Sequence, residues 1–149
     1  MSNPYLYVLI ALIAGAMLPT QAGVNNKLAT FIESPVLAAF ISFLIGTIAL
    51  LIYLLGTGES WSNLSGARNA PLIAWTGGLL GAFFVASTVI LIPKLGVALT
   101  FSLVIAGQML FTLVIDHFGL LNVPVKEISL VRVGGIFLII FGVVLIRKF

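Results

Sequence analysis

The sequence predicts an all-α, polytopic membrane protein with five transmembrane helices. Three observations carry that prediction. Of the 149 residues, 61% are hydrophobic and 7% charged, against about 25% charged in a typical soluble domain. So few charges cannot cover a water-soluble surface of this size. Five apolar runs each reach the ~20 residues that a helix needs to cross the hydrocarbon core. Prolines, asparagines and charges gather between these runs, with one exception, Gly15–Leu28. The chain reads as one transmembrane domain over residues 1–149. It has no cysteine, which excludes disulfides and thiolate metal sites. Its net charge of +3 is scattered along the chain, so nucleic acid is not an expected partner.

The first run starts at Pro4, a good first-turn residue, and covers either 4–22 or, kinked at Pro19, 4–31. The lead Met1–Asn3 contains no Lys or Arg, so this run is expected to be a retained span and not a cleaved signal peptide. The second run, 35–55, opens with Ser34 as N-cap and Pro35 behind it. A loop rich in Gly, Ser and Asn follows, with Trp61 placed as an interfacial anchor. The third run, 71–92, opens at Pro71 and closes at Pro93-Lys94. The fourth, 97–115, is closed by Asp116-His117-Phe118-Gly119. The fifth, 128–146, has Glu127 at its start and Arg147-Lys148 at its end, matching the helix dipole at both termini. Arg132, one turn inside, is expected to snorkel to the headgroups.

An odd number of spans puts the termini on opposite sides. Arg68, Lys126 and Arg132 then fall on one side, and Lys27, Lys94, Arg147 and Lys148 on the other. That balance gives the positive-inside rule nothing to act on. Insertion in both orientations follows as an expectation, with two copies forming an antiparallel homodimer. Each chain would then be half of a ten-helix inverted-repeat transporter.

Small residues that let helix backbones approach recur at helical spacing: Ser42 and Gly46, Gly77 and Gly81, Gly135 and Gly142. These are expected helix-packing positions. Polar residues at depth carry more information. Pro19 removes a hydrogen bond to the carbonyl of Gly15, making Gly15 and Pro19 a candidate hinge. Gln21 and Asn25 share a helix face one turn further on. Freed backbone and amide groups at depth need protein or a water-filled cavity around them. Gln108 and Thr112 form a second polar stripe. With Trp75 and Tyr53 as aromatic walls, Gln21, Asn25, Gln108 and Thr112 are the expected substrate-binding set. Asp116 and Glu33, at span ends, are candidates for ion coupling. No phosphate loop, metal-ligand cluster or nucleophile triad is present in the sequence, so neither an enzyme nor a metal or cofactor is expected.

Pro19-x-Gln21-x-x-x-Asn25-x-x-Leu28 resembles the YdcZ-like family of small bacterial membrane proteins. So do Ser42-x-x-x-Gly46, Gly77-Gly78-x-x-Gly81, and Gly107-Gln108 with Asp116-His117-Phe118-Gly119. The resemblance covers essentially the whole chain. It implies membership of the drug/metabolite transporter superfamily and a multi-pass place in the bacterial inner membrane. Small multidrug members of that superfamily use a glutamate inside their first helix. The first helix here has no acid from Pro4 to Asn26, so that role passes to no residue. The expected function is alternating-access transport of a small organic solute, polar and uncharged or zwitterionic. A passive channel and a non-transporting accessory subunit are the alternatives.

Overall fold

A computed structural model describes residues 4–148; the lead Met1–Asn3 lies outside them. Among the described residues, five helices are long and apolar enough to cross a membrane. The chain divides into two compact units, the first ending at Pro93 and the second starting at Lys94.

In the first unit, α1 (Pro4–Ile32) runs through Pro19 without a break. Of the two bounds expected for this run, the longer one is observed. Pro19 cannot donate to the carbonyl of Gly15, but one lost bond does not end a helix whose next twelve residues contain no further proline. The break comes at Glu33, which adopts φ 53°. Ser34 follows with extended backbone, and its Oγ accepts from the N–H of Leu37 at 3.2 Å. Pro35 opens α2 (Pro35–Thr57), which ends on Gly58 in the left-handed conformation.

The connection from α2 to α3 contains two 3₁₀ turns, Trp61–Asn69 and Leu72–Thr76. The helix expected from Pro71 therefore becomes α-helical only at Gly77, giving α3 (Gly77–Leu95). The hydroxyl of Thr76 donates to the carbonyl of Ile73 at 2.8 Å inside the second turn. The core of this unit is small. Ala29, Ala38 and Val89 are buried together, with Leu28 and Ile32 packed against them. Alanine at two of these positions lets α1 and α2 approach closely. Further along, a Cβ built on Gly81 would lie 3.4 Å from the ring of Phe43.

Gly96, at the start of the second unit, takes φ 78°, ψ 164°, a region that is essentially glycine-only. From there α4 (Val97–Phe118) runs to Gly119, again left-handed. A Cβ on Gly119 would sit 2.7 Å from Cγ2 of Val125, so this position is closed to other residues on two counts. The chain turns through Leu120–Asn122, with Leu121 and Asn122 at φ 59° and 62°. It then reaches α5 (Leu130–Lys148), which packs on α4. The fifth helix starts two residues later than expected, because Ser129 caps it by accepting from the N–H of Arg132 at 3.3 Å.

Candidate functional site

The face of α1 that carries Gln21 and Asn25 looks onto α2. Between the two helices lies an open groove of about 430 Å³, lined by Thr20, Gln21 and Asn25 from α1 and by Ser42 from α2, among aliphatic neighbours. The reason is periodic. Gln21, Asn25 and Leu28 follow at steps of four and three along α1, while Ile41, Ser42 and Ile45 form the matching face of α2. Asn25 lies seven residues before Ile32, and Ser42 seven residues after Pro35. At 1.5 Å per residue, both sit about 10 Å in from the α1–α2 turn. The two rows are therefore at matching depth.

Asn25 is 4% exposed, and among the described residues its Nδ2 is the buried side-chain polar atom without a hydrogen-bond partner. Buried polar atoms are paired in the great majority of cases, so an orphan donor on a residue that lines a groove calls for an explanation. Neither hydroxyl on the groove, Thr20 or Ser42, is bonded to it. Thr20 donates to the carbonyl of Ala16 at 2.9 Å, the local bonding that lets Thr settle in an apolar helix. Elsewhere in the chain, Thr88, Thr100, Ser102 and Thr112 also donate to carbonyls three or four residues back. The Asn25 amide N–H makes no such local bond.

Of the expected binding residues, the structure brings Gln21 and Asn25 together and adds Ser42, which sequence reasoning assigned to helix packing. Its position one turn before Gly46 suited either role. Tyr53 and Trp75 are 66% and 64% exposed and do not line this groove. Tyr53 stands near the end of α2, and Trp75 belongs to the second 3₁₀ turn. Gln108 is exposed on α4, and its carbonyl accepts from Thr112 Oγ1 at 2.7 Å. Thr112 and Gly135 line a second groove of about 230 Å³ between α4 and α5, with Arg132. Among the expected packing glycines, Gly81 approaches another helix. Gly46, Gly77 and Gly142, like Gly135 and the hinge residue Gly15, face open space, with no neighbouring helix or side chain within 4 Å of where a Cβ would lie.

Neither of the two acids expected to couple an ion lines the α1–α2 groove. Asp116 forms an ion pair with Arg132. Arg132 also donates to the carbonyl of Lys126 at 2.9 Å, and the backbone carbonyl of Asp116 accepts from the N–H of Lys126 at 2.8 Å. Arg132 is thus not a free snorkelling side chain: it ties the start of α5 to the end of α4. His117 joins the same clasp, its Nδ1 accepting from the N–H of Ile128 at 3.4 Å. Opposite charges flanking one short connection were the available signal. Glu33 is exposed at the α1–α2 turn. No charged side chain lines the α1–α2 groove, which can therefore hold a neutral ligand by hydrogen bonding and apolar contact.

Residues 6–145 match the family model DMT_YdcZ, whose description reads "Putative inner membrane exporter, YdcZ". No curated protein and no solved structure matches the chain.

Proposed function

This chain belongs to the YdcZ family, and from that premise we propose that it exports a small organic solute by alternating access. It is a multi-pass protein of the inner membrane, with five spans. The observation that carries the proposal is the orphan amide of Asn25, buried beside Gln21 and Ser42 in an uncharged groove. A donor left unpaired in a low-dielectric setting is costly, and a solute that accepts from it recovers that cost on binding.

The working unit we propose is an antiparallel homodimer. The near-equal distribution of Lys and Arg between the two sides supports it. Two copies inserted in opposite senses would place two grooves symmetrically, each about 10 Å in from its own α1–α2 turn. Ten helices related in this way could rock so that the grooves open to one face and then the other.

The test is transport into proteoliposomes by wild type and Asn25→Ala at matched protein content. A saturable flux whose apparent affinity the substitution lowers about tenfold is the expected result. A flux that rises linearly with solute concentration would instead favour a passive channel. No flux by the purified protein, together with a partner-dependent rise in its abundance, would favour an accessory subunit.

A further inference from the structure

The lining of the α1–α2 groove is chemically selective. Apart from Thr20, Gln21, Asn25 and Ser42, every side chain around it is aliphatic or a thioether. The Thr20 hydroxyl already spends its proton on the carbonyl of Ala16. Asn25 Nδ2 does not have a partner. The group left unpaired and buried is a donor, and what would pair it is a hydrogen-bond acceptor, presented next to an apolar surface.

Charge narrows the class further. A full charge entering a space with no counter-ion in its walls loses its hydration without compensation. That disfavours an organic cation and a zwitterion alike, so the polar or zwitterionic solute expected from the amides alone gives way. A sugar carries more donors and acceptors than the polar side chains here can meet. A lipid acyl chain fits the aliphatic walls but leaves Nδ2 unpaired. The volume of about 430 Å³ lies at the small end of the roughly 300–1,000 Å³ usual for small-molecule sites.

We propose that the groove binds an uncharged amphiphile, its apolar body against Met17, Leu28 and Ile45, and that the Asn25 side chain, whose Nδ2 is sealed in the empty groove, turns to meet an acceptor on the head group. This ligand class rests on the reading of the same groove as the export site. It deepens that reading from a small organic solute to one defined by a neutral acceptor on an apolar body.

The full-length protein in lipid nanodiscs, with its asparagine side chains labelled with ¹⁵N, tests the assignment. Three probes share one tail: N,N-dimethyldecanamide, decyltrimethylammonium and decane. The amide is expected to shift the Asn25 side-chain NH₂ signal saturably, while the other two leave it in place. Asn25→Leu should weaken amide binding about tenfold, the scale of one hydrogen bond to a buried donor, and leave decane unaffected. The assignment is overturned if the ammonium or decane matches the amide, if no probe binds, or if Asn25→Leu binds the amide as well as wild type does. Should that variant not fold, the wild-type spectra with the three probes decide the matter alone. Saturable amide binding without protein-dependent flux in proteoliposomes would uphold the ligand class and overturn export. Flux of a solute without any preference for the amide would do the reverse.

Discussion

Asn25 and Asp116 show how differently a polar residue can be used at the edge of a membrane. Asn25 is buried with its amide donor unmet, so it lowers the stability of the empty protein. Asn25→Leu should therefore raise stability by about 1 kcal/mol, the lower end of the cost of a buried unsatisfied group. Thermal unfolding of the purified protein reads this directly, and a fall in midpoint would contradict it. Asp116 is already matched with Arg132, with side-chain exposures of 21% and 31%. Partial exposure keeps such a pair small, at about 1 kcal/mol or less. Asp116→Asn should destabilise the protein slightly, and solute flux should persist. Loss of flux in a folded Asp116→Asn protein would return this residue to the coupling role its sequence position suggested.

At the scale of elements, the helix ends carry the strain. Glu33 holds a left-handed conformation between α1 and α2, which costs a residue with a Cβ roughly 1–2 kcal/mol. Glu33→Gly should relieve part of this and raise the unfolding midpoint, provided the added freedom of the unfolded glycine does not offset it. Gly119→Ala should do the opposite, losing at least ~1 kcal/mol, because it adds both the left-handed penalty and the contact with Val125. The same elements show what the sequence made legible. The five spans, the Ser34-Pro35 start and the pairing of Gln21 with Asn25 on one face follow from hydropathy and from period 3.6. Which of its two bounds α1 takes at Pro19 was hidden, because proline marks a local cost and the neighbouring residues decide whether the helix absorbs it. The 3₁₀ start before α3 was equally hidden. So was the clasp of Arg132 on Asp116, which depends on a turn that brings together residues sixteen positions apart. Ser42 was visible as a small residue at helical spacing, but its place beside Asn25 is a property of how α1 meets α2.

For the whole molecule, the questions are how the chain inserts and whether the groove is a path. At 1.5 Å per residue α1 is about 43 Å long, more than the roughly 30 Å hydrocarbon core. Tilt or overhang accommodates the difference. Insertion in both orientations predicts that a C-terminal tag is protease-accessible from each side of the membrane in comparable amounts. A single orientation would remove the antiparallel dimer and leave the groove as a site of one sidedness. The sequence contains no cysteine, so one introduced thiol reports alone. Ser42 lies on the groove wall opposite Asn25, and labelling of Ser42→Cys by a membrane-impermeant maleimide tests most directly whether this groove is the transport path. The expected result is labelling from each side in turn, slowed by N,N-dimethyldecanamide. A thiol that stays unlabelled from both sides, or is labelled at a rate the amide does not change, would contradict it.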